Sequence, residues 1–257
     1  VRTHLPRTGQ VVAGRRSVCL LQDLGGALRS VAGNPPWLNL EPLGDMALLA
    51  HFASEDEAMG FARQARERPL GRLGVIDVTA AYRAVSLHFD SPGRDRAAVA
   101  SMLTEVNTHS GFTSRTREIP CCYEMGEDLE WVARQLELKP MDVVAAHASA
   151  TYTVYALGFI PGFAYMGWLP TNLAGLPRRE TPRTAVPEGS VAMAGRQTGV
   201  YPAKVPGGWH LIGKTPCRVA RPEDGWFPLQ AGDKVRFRPI TSSEYSALAG
   251  IDLPGVE

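Results

Sequence analysis

The sequence predicts an α+β protein that is mainly β, with a C-terminal β-barrel and a small ferredoxin-like (split βαβ) N-terminal domain. The first observation is the stretch Gly158 to Pro216, 59 residues that hold ten of the 26 Gly and eight of the 20 Pro. Because Pro removes a backbone donor and Gly weakens regular elements, this density excludes long helices. Its aromatic and branched residues exclude a disordered linker. We therefore expect short strands joined by tight turns, as in a barrel.

The second observation is a strand and helix alternation between Trp37 and Pro120. An apolar run at 46–52 predicts a strand, and Ser54 with Glu57 forms a capping box that begins a helix, which Pro69 closes. Further strands are expected at 75–81, 83–89 and 112–119, with a second helix at 97–107. The order β-α-β-β-α-β is that of a split βαβ unit.

The remaining segments complete the predicted organisation. We divide the chain into an N-terminal extension at 1–36, a small domain at 37–118, a barrel domain at 119–240 and a tail at 241–257. The extension is Arg-containing and loosely similar to an organellar transit peptide, but a poorly ordered terminus outside the fold is the preferred interpretation. Two short helices at 128–138 and 141–147 have the length of a DNA-binding pair, yet their acidic residues disfavour phosphate contact.

Barrel strands are predicted from the pattern of β-branched and aromatic residues. The segment TYTVYAL at 151–157 is the strongest strand signal in the chain. Shorter strands are expected at 190–194, 200–201, 209–212, 217–220 and 234–238. The tail carries a weakly apolar segment that we expect to form a short docking helix.

Composition excludes several classes of protein. The chain is 44% hydrophobic with a net charge of +1, which gives no reason to expect nucleic acid as a partner. No apolar run of about 18 residues predicts a membrane span. The four Cys lack a CxxC pair, so we expect reduced thiols in a cytoplasmic protein, without zinc or disulfides.

The charge of the Gly-rich stretch predicts an anion site. It carries six Arg and Lys against two Glu, a net +4, whereas the whole chain is +1. Cations beside glycine amides suit a carboxylate or a phosphate, although a solvated face is an equally good interpretation of charge alone. Gly208 to Thr215 matches a phosphate-loop pattern letter for letter, but Pro216 and the strand expected at 217–220 argue against the helix that a true phosphate loop needs.

The candidate site residues follow from these loops, which we expect to converge on one barrel mouth. The predicted anion binders are Arg183, Arg196, Lys204 and Lys214. Gln197, Thr198 and the loop glycines Gly158, Gly162, Gly207 and Gly208 are expected to position a small acidic substrate. His147 is the candidate for proton transfer, and its alternative is a structural histidine at a helix C-terminus. We find no nucleophile elbow, metal-type His pair or paired carboxylates, so a self-contained hydrolase is not expected.

A family resemblance enters at these residues. The segments HASATYTVYALGFIPGFAYMGWLP and LPRRETPRTAVPEGSVAMAGRQTGVYPAKVPGGWHLIGKTP resemble the signature of the 5-oxoprolinase B-subunit family. The same family is known as allophanate hydrolase subunit 1 and as the histidine-kinase inhibitor KipI. The resemblance runs from about 40 to about 239 and implies a cyclophilin-like barrel with carboxyltransferase-type relatives. Two positions depart from the pattern, because Val205 replaces a small hydroxyl residue and Lys214 replaces an Arg.

The resemblance also implies an activity. It implies one component of a hetero-oligomeric, ATP-dependent 5-oxoprolinase, with Mg²⁺ accompanying ATP. A homologous partner, the C-type component of the enzyme, would help to activate 5-oxoproline, and a third component would complete ring opening to L-glutamate. Two alternatives stay open: an inhibitor that docks on a sensor histidine kinase through exposed tryptophans (Trp168, Trp209 and Trp226), and a carboxyltransferase component acting on allophanate or another urea-derived substrate.

Overall fold

The computed structural model of the chain describes residues 19–22, 28–31, 35–104, 106 and 115–253. A four-stranded antiparallel sheet of order β3-β4-β6-β5 carries two helices. Its elements are β3 (Asn39–Leu43), β4 (Ala47–His51), α1 (Glu55–Glu67), β5 (Val75–Ala81), β6 (Ala84–Phe89) and α2 (Arg96–Leu103). Because β6 lies between β4 and β5 and is antiparallel to both, the unit contains the predicted split βαβ, but β3 takes the place of the closing strand expected in the ferredoxin-like order.

One strand of the small sheet differs from the prediction. The expected closing strand at 112–119 corresponds to β7 (Thr116–Cys121), which joins the barrel sheet, and β3 occupies the edge beside β4. A connection of only three residues separates β3 from β4, so their pairing costs little loop-closure entropy. The segment before α1 behaves as predicted, since the Glu57 amide donates to Ser54 Oγ at 3.2 Å.

Part of the predicted N-terminal extension has regular structure. Two short strands, β1 (Cys19–Gln22) and β2 (Leu28–Val31), pair antiparallel and lie beside β3 and α2, respectively. Over these eight residues the expectation of a terminus outside the fold is wrong. The transit-peptide interpretation of 1–36 stays a prediction, and 1–18 lie outside the described residues.

A seven-stranded sheet of order β14-β11-β12-β9-β8-β15-β7 forms the barrel. Its strands besides β7 are β8 (Tyr152–Leu157), β9 (Ala164–Gly167), β11 (Ser190–Ala194), β12 (Gln197–Val200), β14 (His210–Lys214) and β15 (Lys234–Pro239). The two outermost strands meet where Cys122 and Lys214 exchange backbone hydrogen bonds of 2.8 and 3.0 Å, which nearly closes the sheet on itself. The predicted mainly β barrel is therefore confirmed.

Buried side chains from strands and helices fill the barrel interior. Fully buried residues such as Tyr152, Met166, Met193 and Phe237 fill the interior. The helices α3 (Leu129–Gln135) and α4 (Pro140–Ser149) contribute Val132 and Val143 to the same core, so the predicted helix pair serves packing. The short helix α5 (Ser242–Ala247) confirms the helix expected in the tail.

A second, smaller cluster lies on the outside of the barrel under a separate two-stranded sheet. That sheet, here called the flap, pairs β10 (Arg183–Val186) antiparallel with β13 (Val205–Gly207). The cluster beneath it contains Phe163, Val186, Ala192, Ala194, Tyr201, Trp209 and Leu211. None of the described helices has the length and apolar character needed to cross a bilayer.

Candidate functional site

A cavity of about 280 Å³, here called the aromatic cleft, lies beside the flap. Its walls are Phe159, Phe163, Tyr165, Tyr201 and Trp209, and its rim includes Arg178, Arg179, Gly207 and Gly208. Phe163 is the centre of the wall, with ring centroids 4.9 Å from Tyr165, 5.3 Å from Tyr201 and 5.5 Å from Trp209. Edge-to-face packing of this kind holds the walls in one arrangement.

Strand alternation explains why aromatic groups reach this face. On β9, Ala164 and Met166 belong to the barrel core, so the intervening Tyr165 lies on the opposite face, toward the flap. Gly207 on β13 is needed for close approach, because a Cβ at that position would lie 2.4 Å from Tyr201 Oη. Sequence and register together therefore build a shallow apolar site with hydroxyl groups at its edge.

The polar groups of the cleft favour an anion. Arg178 is exposed at the rim and has no carboxylate or hydrogen-bond partner among the described residues. Burial raises the pKa of Tyr201, and the Trp209 amide and the Arg178 charge offset this only in part. Tyr201 is therefore a protonated hydroxyl at neutral pH and a hydrogen-bond donor beside an unpaired guanidinium.

Below the rim, Asp128 organises a buried ion network. Its carboxylate accepts hydrogen bonds from Arg183 at 2.8 Å, from Arg179 at 3.3 Å and from the Leu211 amide at 2.8 Å. Burial alone would raise the pKa of Asp128, but the hydrogen bonds from Arg183 and Leu211 and the charges of Arg183 and Arg179 outweigh it and lower that pKa. This network fastens the flap to the barrel.

The network changes the interpretation of Arg183. We predicted a substrate-binding cation, yet its guanidinium is committed to Asp128 and lies 3.4 Å from Glu127. An arginine neutralised in this way has little remaining attraction for a ligand. Arg178 and Arg179 both line the cleft, and Arg178, which sequence reasoning did not select, is the one of the two without a carboxylate partner among the described residues.

His147 lies inside the barrel and is fully buried. Thr198 donates its hydroxyl hydrogen to the Ala192 carbonyl at 3.0 Å, so its oxygen accepts from His147 Nε2–H at 2.8 Å. Nδ1 is then the acceptor for the Tyr123 hydroxyl at 2.7 Å. Burial lowers the pKa of His147 from 6.5 to about 3. A neutral, fully satisfied ring without solvent contact is a structural histidine, which argues against the proton-transfer role expected for His147 and the substrate role expected for Thr198.

Arg196 and Gln197 lie where the two sheets meet. The Gln197 amide donates to Tyr82 Oη at 2.7 Å, and the Arg196 guanidinium carbon lies 4.6 Å from the Trp168 ring centroid. Tyr82 stacks on the same Trp168 ring at 6.1 Å. These two predicted site residues therefore hold the β5–β6 turn against the barrel.

The remaining predicted residues lie in the aromatic cleft and in two other cavities. Gly207 and Gly208 line the aromatic cleft. Gly158 and Gly162 border an apolar hollow of about 520 Å³ that has no cation in its lining. Lys204 and Lys214 share a third cavity, of about 570 Å³. The predicted convergence of all these loops on one mouth is wrong, because the structure distributes them over several faces.

Two negative predictions can be compared with the structure. Most of the phosphate-loop pattern forms strand β14, and the residues that follow Lys214 form no helix, so the pattern is a coincidence as expected. Within the described ranges, Cys121, Cys122 and Cys217 are free and buried, and no group of three metal-type ligands occurs. Arg178 and Tyr201 were missed in the sequence, where only their place within the cationic, aromatic stretch marks them.

Comparison with known proteins identifies the family. A family model described as carboxyltransferase domain, subdomain C and D matches residues 38–226. The 5-oxoprolinase B subunit of Bacillus subtilis (strain 168) is 37% identical over 233 residues, which cover 81% of this chain and 95% of that protein.

Solved structures agree with this assignment. A crystal structure of TTHA0988 matches with a TM-score of 0.68 at 35% identity, over 76% of this chain and 40% of that chain. The K. lactis urea amidolyase matches with a TM-score of 0.59 at 19% identity, over 82% of this chain and 16% of that chain, a likeness of fold alone. The chain therefore belongs to the carboxyltransferase domain, subdomain C and D family, together with the B subunits of 5-oxoprolinases.

Proposed function

We propose that this chain is the B subunit of an ATP-dependent 5-oxoprolinase, working in the cytoplasm as part of a hetero-oligomer. The observation that carries the proposal is the 37% identity to the Bacillus subtilis protein across 95% of its length. In this complex a homologous C-type component shares the activation of 5-oxoproline, and a third component completes ring opening to L-glutamate. The chain alone is not expected to turn over substrate.

The chemistry explains why ATP is needed. A lactam is a poor electrophile, and moving the γ-phosphoryl group of ATP to the lactam oxygen releases ADP and creates a leaving group. Two waters are consumed: one cleaves the ring C–N bond, whose nitrogen leaves as the amine, and the other displaces phosphate. ATP, with Mg²⁺, supplies the phosphoryl group, and the protein must hold a small acid, exclude bulk water and stabilise anionic oxygens.

The aromatic cleft suits the acid substrate. Its volume of about 280 Å³ lies just below the range of about 300–1,000 Å³ typical of pockets for drug-sized ligands. In our proposal the five-membered ring packs against Phe163 and Trp209, and Arg178 binds the carboxylate. The Tyr201 hydroxyl donates to the lactam oxygen.

The test is glutamate formation by the co-expressed components, with 5-oxoproline and ATP as substrates. We expect the wild-type complex to release glutamate and ADP together, and absence of both would refute the proposed function. Arg178→Ala should raise the KM for 5-oxoproline by about tenfold, because a charged hydrogen bond contributes about 1.5–3 kcal/mol. Arg178→Lys should restore part of the affinity.

The matched control is Arg134→Ala, which removes another exposed arginine, on α3. Its KM should equal that of the wild type. An unchanged KM in Arg178→Ala would show that the acid binds elsewhere, and Arg196→Ala would then test the domain junction as the site.

The three tryptophans named for the kinase-inhibitor alternative do not provide the exposed apolar patch that it requires. Trp168 is stacked between Tyr82 and Arg196, Trp209 is only 5% exposed, and Trp226 packs against the barrel core beneath Arg221. These three tryptophans therefore form no exposed apolar patch. The alternative with a urea-derived substrate is tested in the same assay, by supplying allophanate in place of 5-oxoproline.

A further inference from the structure

A second cavity, here called the lysine pocket, lies on the barrel at the end of β14. Its volume is about 570 Å³, and its lining includes Lys204, Lys214, Arg218, Glu188 and Tyr245. The aromatic cleft shares none of these residues. The two cavities therefore offer different chemistry, the first aromatic and the second cationic.

The charges of the lysine pocket are unbalanced. Neither the Lys204 nor the Lys214 ammonium group has a hydrogen-bond or ion-pair partner among the described residues. Arg218 interacts with Asp252 at 3.4 Å and with the Gly250 carbonyl at 2.7 Å, yet its side chain remains 47% exposed. Glu188 is the one acidic residue in the lining. Two unpaired lysines thus share the cavity with one carboxylate, while Arg218 is paired with Asp252 outside the lining, and like charges gathered in one cavity are stabilised by a bound anion.

The choice of lysine is itself unusual for this chain. It has 23 Arg but only four Lys, at 139, 204, 214 and 234. Two of the four line this cavity. A lysine ammonium acts as a compact point charge for phosphate oxygens, whereas arginine favours flat, two-pronged contacts.

The backbone limits where the Lys214 side chain can lie. Gly189 has a φ of +77°, and a Cβ there would lie 2.5 Å from the Thr215 carbonyl oxygen. The same position is 3.7 Å from Lys214 Cγ and Cε, so the lysine stem lies along the glycine. The Gly189 turn therefore supports the stem, and Lys214 is not a freely moving surface lysine.

We propose that the lysine pocket binds the phosphate chain of a nucleoside triphosphate, separately from the acid in the aromatic cleft. This inference rests on the proposed function for the identity of the nucleotide, ATP, but the anion site itself does not depend on it. The pocket has twice the volume of the aromatic cleft, and its cations come from two segments: Lys204 precedes β13, and Lys214 and Arg218 lie at and after the end of β14. A phosphate chain has oxygens spread widely enough to meet all of them, which a single carboxylate does not.

The first test is calorimetric titration of the full chain with sodium pyrophosphate, and separately with ATP, at low ionic strength. Lys204→Ala and Lys214→Ala should each weaken pyrophosphate binding by about tenfold, since each removes one charged contact. Glu188→Gln should strengthen binding about threefold by removing the opposing charge. Lys139→Ala, which removes an exposed lysine at the start of α4, should leave binding unchanged.

Two results would overturn the inference: absence of pyrophosphate binding at millimolar concentration, or binding that is the same in both lysine variants as in the wild type. An increase from Glu188→Gln together with a loss from either lysine variant supports it. Loss of folding can weaken pyrophosphate binding but cannot strengthen it. Unfolding therefore does not explain an affinity that rises in Glu188→Gln and falls in a lysine variant.

A second test separates this inference from the proposed function. In the assembled enzyme, Lys204→Ala and Lys214→Ala should raise the KM for ATP and leave the KM for 5-oxoproline unchanged. If glutamate forms with an unaltered KM for ATP, the pocket assignment fails while the proposed function stands. If pyrophosphate binding depends on the lysines but no glutamate forms, the proposed function fails and the anion site stands.

Discussion

The Asp128 network and the lysine pocket draw their cations from the same glycine-rich stretch, but they use them in opposite ways. Arg183 and Arg179 are tied to one buried carboxylate, and their charge serves to attach the flap to the barrel. Lys204 and Lys214 have no such partner among the described residues. The net charge of a segment therefore does not show whether its cations bind a ligand or stabilise the fold, because that depends on the partner of each cation.

The largest expected effect comes from removing the Asp128 carboxylate that Arg179 and Arg183 share. Asp128→Ala should lower the free energy of unfolding by about 3 kcal/mol, because it leaves two arginines partly buried without a counter-charge. Urea denaturation followed by tryptophan fluorescence measures this loss. Glu130→Ala, an exposed acid on α3, is the control and should change stability by less than about 0.5 kcal/mol. A loss in Asp128→Ala no larger than in that control would show that the ion network does not hold the flap.

The pH dependence of the free energy of unfolding shows which buried groups are neutral and which are charged in the folded protein. The folded-state pKa of His147 is lowered from 6.5 to about 3, so the unfolded chain binds one more proton between these values. The stability that His147 contributes is present above pH 6.5 and is lost as the pH falls, by about tenfold in the folding equilibrium constant per pH unit. His147→Gln should be less stable at neutral pH and should lack this slope between pH 6 and 4. The lowered pKa of Asp128 acts in the same direction at more acidic pH, with its contribution lost as that carboxylate protonates.

The smallest expected effect concerns the unpaired lysines. Lys204→Ala and Lys214→Ala should change the free energy of unfolding by less than about 0.5 kcal/mol, since neither removes an ion pair. Adding pyrophosphate should raise the free energy of unfolding more in the wild type than in either variant, because only the wild type retains the complete site. A large loss of stability in either variant without ligand would place that lysine among the structural cations.

Much of the fold could be predicted because its signals are local. The Ser54 cap, the alternation in β8 and the density of Gly and Pro after Gly158 depend on near neighbours in the chain, and each was interpreted correctly. The failures concern long-range pairing. Nothing within 112–119 shows that this strand pairs with β15, more than a hundred residues later, in place of β4.

The site was predicted less well, for the same reason. Charge and composition selected a stretch that supplies most of the lining of both cavities, and the anion-binding roles of Lys204 and Lys214 stay predictions. They did not show that Arg183 meets Asp128, 55 residues earlier, or that Thr198 faces the barrel interior beside His147. Arg178 and Arg179 are adjacent in the chain, and only the structure shows that Arg179 is paired with Asp128.

The amino-acid sequence by itself determined that this chain forms a barrel with a split βαβ unit, and that one glycine-rich stretch carries a net charge of +4. Those properties follow from periodicity, turn chemistry and residue type, which act over a few positions. Only the tertiary structure decided which cations are neutralised, because an ion pair depends on distance in space between residues far apart in the chain. It also decided that His147 stays neutral, since burial and two hydrogen-bond partners from other segments set that protonation state.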